Sequence, residues 1–187
     1  MDGVGDLERW AADARVREAA DARVRERWLL AQAAESASLA GLLLTLAERQ
    51  ETVVVATVAG RRHRGVVTGV GEDFVAIEAQ SGVIALVSLS GVGDVRVAEV
   101  ATRPGSRRAA TTGDRLGRAS LGARLGDVLA QAAGGRPRIL VQTGAASVVG
   151  DLLAVGVDVL TVQTDGDAGP VYVGLPSVSE ISFLASG

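Results

Sequence analysis

The sequence predicts a mainly β protein with N-terminal helices (α+β), built as two small five-stranded barrels, each preceded by a helix. Three observations predict it. Residues 51–97 are short Val-rich runs separated by glycine and charged turns, which is strand composition. The same texture resumes after Arg136-Pro137 and runs to Phe183. Gly65–Glu78 also lies over Gly150–Gln163 without a gap, the mark of an internal repeat.

The elements follow in chain order. Residues 6–33 carry Val16, Ala20, Val24, Trp28 and Ala31 at helical spacing, with Leu7, Trp10 and Ala14 extending the stripe upstream. Arg9–Asp13, Asp13–Arg17, Arg17–Asp21 and Asp21–Arg25 alternate in sign at i, i+4, each pair contributing ~0.2–0.5 kcal/mol to the helix. A second helix is expected from Ser38, its N-cap, to about Arg49, with Leu39, Leu42, Leu43 and Leu46 on one face. Strands are expected near 52–59, 64–71, 73–79, 83–90 and 92–97. The turns between them fall at Ala59-Gly60-Arg61, Gly71-Glu72 and Gln80-Ser81-Gly82.

Residues 98–118 contain Pro104, Gly105, Ser106 and Thr111-Thr112-Gly113, the composition of a linker. Ser120 is then expected to cap a short helix bearing Leu121, Leu125, Val128 and Leu129, stopped by Gly134-Gly135. The domain plan is a charged helix at 1–37, a first barrel with its helix at 38–97, the linker at 98–118, and a second barrel with its helix at 119–187.

In the repeat, Gly65, Val70, Gly71 and Asp73 meet identical residues at Gly150, Val155, Gly156 and Asp158. Val87, Leu89, Val92 and Val95 meet Val173, Leu175, Val178 and Ile181 after one extra loop residue. A strand ending in Val-Gly, one residue, then Asp and a new apolar run marks a tight reversal. Gly71 and Gly156 are expected to supply an awkward φ without a Cβ, and Asp73 and Asp158 to bond the turn backbone. These four are read as structural turn formers, since nothing in the sequence brings the two carboxylates into one cleft for acid–base work.

Composition narrows the chemistry. The chain has no cysteine, which removes disulfides, thiolate zinc sites and a Cys nucleophile. One histidine, His63, has no histidine or thiolate partner for a metal. No serine sits in a nucleophile-elbow context. Gly69-Val70-Gly71 and Gly91-Val92-Gly93 lack a full glycine-rich phosphate fingerprint and a following helix. The expectation is therefore a protein that is not an enzyme, with no cofactor and no metal.

All 19 basic side chains are arginine, the formal charge is −3, and only five residues are aromatic. The absence of lysine and asparagine together points to codon bias rather than selection for phosphate forks. An acidic balance and few stacking platforms argue against nucleic-acid binding by bulk electrostatics. Arg61-Arg62-His63-Arg64 is the densest basic cluster and is placed in the reversal between the first two strands. It is read as a solvated turn, with an anion or RNA contact as the functional alternative. The acidic, charged N-terminus is no signal peptide, and the apolar run from Leu39 to Leu46 is too short to span a bilayer. The expected compartment is the cytoplasm, without a membrane partner.

Each unit resembles the Sm-like fold, a helix followed by five bent strands closing a small SH3-like barrel. The residues that carry the resemblance are Arg64-Gly65-Val66-Val67, Asp73-Phe74-Val75, Val87-Ser88-Leu89 and Val92 to Val95, which look most like the bacterial RNA-chaperone branch. That branch carries a basic/histidine pair entering its last strand, but here those positions are Leu89-Ser90 and Leu175-Pro176. The Asp-then-Asn and Arg-Gly signatures of the eukaryotic and archaeal branch are not evident either. The resemblance thus implies edge-to-edge assembly, without the residues that would carry RNA binding across. The expected partner is another copy or another protein, with RNA as the alternative.

Overall fold

The computed structural model describes residues 37–98, 122–144, 146–166 and 169–184, together with Glu18, Arg23 and Glu26. The chain divides into two compact units, Met1–Ser38 and Leu39–Gly187. In the first, Glu18, Arg23 and Glu26 are helical; the rest of the helix expected at 6–33 lies outside the described residues. The expected linker also lies outside them, except Ala98, whose N–H donates to Thr52 O at 2.8 Å.

The second unit holds two helices and ten strands. Helix α1 (Leu39–Glu48) precedes β1 (Thr52–Thr57), β2 (Arg62–Val70), β3 (Phe74–Ala79), β4 (Ile84–Ser88) and β5 (Val92–Val97). Helix α2 (Leu125–Ala133) precedes β6 (Arg138–Thr143), β7 (Ala146–Val155), β8 (Val159–Gln163), β9 (Val171–Gly174) and β10 (Val178–Phe183). A one-turn 3-10 segment, Leu89–Gly91 or Leu175–Ser177, leads into the last strand of each set. The helix expected from Ser120 begins only at Leu125, because its first turn is held by Asp73 of the other repeat.

All ten strands form one antiparallel sheet in the order β5-β1-β2-β3-β4-β10-β6-β7-β8-β9, and the sheet is not closed. Each repeat contributes the same permutation: its fifth strand pairs with its first, and its fourth lies at the far side. The repeats join where β4 meets β10, with Val87 opposite Glu180, Leu86 opposite Ile181 and Ala85 opposite Ser182.

The equivalence reaches individual backbone contacts. Gly65 sits opposite Val53 and Gly150 opposite Ile139. A Cβ on Gly65 would lie 2.1 Å from Glu78 O, and one on Gly150 would lie 2.1 Å from Gln163 O. Both positions let the second strand of a repeat bend hard against the third.

Two apolar cores result. Leu43 and Leu46 of α1 cover Val53, Val55, Val67, Val75, Ile77 and Val87 of the first repeat. Leu125, Val128 and Leu129 of α2 pack with Ile139, Val141, Leu152, Leu160 and Ile181 of the second. This second core also takes Phe74, Ala76, Ile84 and Leu86 from the first repeat. Strands β3 and β4 are therefore apolar on both faces, whereas β8 and β9 alternate buried with less buried positions. A continuous apolar run belongs to a strand with no solvent face.

Candidate functional site

The basic cluster at 61–64 is mostly strand. Thr57 N–H donates to Arg61 O at 2.8 Å, and Gly60, at φ +82°, closes a tight turn. The ladder then runs on through Arg62 opposite Ala56, His63 opposite Val55 and Arg64 opposite Val54. Only Arg61 remains in the reversal; Arg62 and His63 join the strand that was expected to begin at Arg64. Alternation of side chains along a strand splits the cluster: Arg62 and Arg64 are exposed, while His63 follows the inward face of Gly65 and Val67.

His63 and Arg61 meet a carboxylate from the other repeat. Glu180 of β10 is fully buried, with its Oε2 2.8 Å from His63 Nε2 and 3.1 Å from Arg61 Nε. Its Oε1 accepts a hydrogen bond from Ser182 Oγ at 2.9 Å. The His63–Glu180 approach is short but off hydrogen-bond angles, and among the described residues neither Nε2 nor Oε2 has a hydrogen-bond partner. Burial pushes the Glu180 carboxyl up, but His63, Ser182 and Arg61 together outweigh it and hold the group below the ordinary carboxylate value. A buried carboxylate without such partners would be very costly. This cluster is the most unusual chemistry among the described residues, and it lies at the junction of the repeats.

The repeated turns sit at a second contact. Gly71 N–H donates to Phe74 O and Gly156 N–H to Val159 O; Leu89 N–H and Leu175 N–H donate to the carbonyls of Asp73 and Asp158. Neither glycine has a left-handed φ, contrary to the expectation. What excludes a side chain at Gly71 is space, since a Cβ would fall 2.2 Å from the Phe74 ring. The Asp73 carboxylate leaves its own turn and accepts the Leu125 N–H at 2.8 Å, satisfying one of the unpaired donors that open α2. Beside it Arg124 grips Glu72 with two hydrogen bonds, at 2.9 and 2.7 Å. That grip holds Glu72 below the usual carboxylate range and raises Arg124. Asp158 is exposed and does not line the groove that Asp73 borders.

A groove of about 640 Å³ passes Asp73, Arg124, Asp127, Val157 and Pro176. Its charged groups are engaged with backbone or with one another: Asp73 with Leu125 N, Asp127 with Arg124 N, and Arg124 with Glu72. Among the described residues, no three His, Cys, Asp or Glu side chains stand together as a metal site, and no helix is long and apolar enough to cross a membrane.

No protein-family model matches the chain, and no curated protein is significantly similar to it.

Sequence reasoning missed Glu180. The available signal was a lone acid in the strand Val178–Phe183, aligned with Asp94 in the first repeat, where the strand is charged at 94 and 96.

Proposed function

We propose that the chain is a non-catalytic assembly module, two small Sm-like barrels joined edge to edge, which self-associates through the edges still open. One observation carries this reading. The sheet continues from one repeat into the next through β4 and β10, leaving β5 at one end and β9 at the other. Unpaired strand edges are templates for further pairing unless they are blunted or covered. Tyr172 on β9 is 69% exposed and Val97 on β5 is 57% exposed, so both edges also offer apolar surface.

Light scattering tests it. The purified chain is expected to give a mass above one chain that rises with concentration, and Tyr172→Lys is expected to return it to a single chain. A single-chain mass for the unaltered protein at every concentration overturns the reading.

The alternative is an RNA-binding regulator. It would rest on Arg62 and Arg64, which are exposed two residues apart on β2, because Arg61 and His63 are committed to Glu180. It requires RNA affinity that falls with salt and is lost in the Arg62→Ala/Arg64→Ala variant.

A further inference from the structure

We infer that residues 7–31 pair antiparallel with the same segment of a second copy, in a register fixed by Arg17 and Asp21. This contact is separate from the strand edges and does not rest on them.

The helix expected at 6–33 keeps a stricter period than a general apolar stripe. From Leu7 and Trp10 to Trp28 and Ala31, one set of positions recurs at alternating steps of three and four residues, the a and d positions of a helix pair. No glycine or proline interrupts residues 6–36, so the sequence holds no local helix breaker there. Glu18, Arg23 and Glu26 are helical and exposed; on this period they take positions e, c and f, none of them in the stripe.

Two opposite charges interrupt the stripe at its centre, Arg17 at d and Asp21 at a. A helix laid on an apolar core by this face would bury both without partners, which is costly. A second copy running the other way supplies the partners. With Arg17 opposite Asp21, Ala14 stands opposite Val24, Trp10 opposite Trp28, and Leu7 opposite Ala31. Each a position then meets a d position, small residues meet larger ones, and aromatic meets aromatic. The segment is its own complement about a midpoint at Ala19.

Other arrangements leave the charges unmatched. A parallel pair in register sets Arg17 against Arg17 and Asp21 against Asp21. An antiparallel pair slipped by one heptad leaves Asp21 opposite Trp10 or Val24. A polar pair in such a stripe costs stability and fixes orientation and register. The flanks agree: Glu18 and Arg25 fall at e, Asp13 and Arg27 at g. Antiparallel helices face e with e and g with g, so each acid has an arginine across from its row. Parallel helices face g with e, which brings Asp13 beside Glu18. With alanine at 14 and 31 and charges at the centre, the contact buries little apolar area. It is expected to hold only concentrated chains, so Tyr172→Lys still reads as a single chain in dilute solution.

The chain has no cysteine, so single thiols report the orientation. Full-length Ala14→Cys and Val24→Cys chains, carrying different tags, are mixed under mild oxidation. The expected product is the mixed 14–24 disulfide, well above either like pair. Predominant 14–14 and 24–24 products mean a parallel arrangement and overturn the inference, as does the absence of any disulfide. Arg17→Asp or Asp21→Arg, introduced into both chains, is expected to lower the mixed product about tenfold, and Arg17→Asp/Asp21→Arg to restore it. An unchanged yield in the single variants overturns the charge-fixed register. The strand edges are read separately. A concentration-dependent mass that Tyr172→Lys leaves unchanged, with the 14–24 disulfide formed, removes the edges and keeps this contact. A multimer lost in Tyr172→Lys, without that disulfide, keeps the edges and overturns this contact.

Discussion

Glu180 and His63 belong to different repeats, yet their side chains meet 2.8 Å apart in the interior of the sheet. Glu180 is fully buried and His63 nearly so, with 12% of its side chain exposed. The contact joins two structural halves through a charge that neither half could bury alone.

That dependence predicts an asymmetric response to mutation. His63→Ala combined with Arg61→Ala leaves the carboxylate buried without either of these partners, and is expected to cost about 3–5 kcal/mol in urea unfolding. Glu180→Gln removes the charge and keeps the shape, at about 1–3 kcal/mol. If the double variant is no less stable than Glu180→Gln, Arg61 and His63 are not what permits the acid to be buried.

The same group makes stability depend on pH. The folded carboxyl titrates below its ordinary value of 4.5. Between the two values the unfolded chain binds more protons than the folded one, so acidification favours unfolding. The Glu180 contribution is therefore complete above about pH 4.5 and is lost as pH falls through the folded value. Thermal midpoints of the unaltered chain and Glu180→Gln are expected to converge on acidification. A gap that stays constant down to about pH 3 would assign the difference to shape rather than charge.

Gly65 and Gly150 test the equivalence of the repeats. Alanine at either places a Cβ 2.1 Å from a carbonyl oxygen of the next strand, so the strands must part. Each substitution is expected to cost about 1–3 kcal/mol by denaturant unfolding. Gly82→Ala meets nothing within 4 Å and costs only its left-handed φ of +80°, about 1 kcal/mol. Equal losses at Gly65 and Gly82 would remove close approach as the explanation.

Much of the strand plan was legible because it is local. Val alternation and the turns at Gly60 and Gly82 place five strands within two residues of those observed, and the gapless match at Gly65 and Gly150 carries the same plan to the second half. The basic cluster was misplaced because a two-sided argument was needed. Arg62 and Arg64 read as turn residues by charge, while their pairing with Ala56 and Val54 depends on how tightly residues 58–60 reverse. The start of α2 was misplaced for a related reason: its opening N–H is satisfied by Asp73, far away in sequence.

The junction itself had a readable trace. Ile84-Ala85-Leu86-Val87 is apolar throughout, and Val171-Tyr172-Val173-Gly174 has its large aromatic on an open face. That contrast marks β4 as covered on both sides and β9 as an end. Which strand covers β4 is a long-range fact that the composition of β4 cannot hold, and Glu180 becomes meaningful only after β10 is placed beside it.

The internal β4–β10 seam also constrains arithmetic. Repeats enter any larger structure in covalent pairs, so a ring closed by joining β9 to β5 contains an even number of them. An odd-membered circle would have to break a seam that is already made or leave one rim bare. Half of the joints in such a ring are formed when each chain folds, independent of concentration, and only the remaining half answer to how much protein is present.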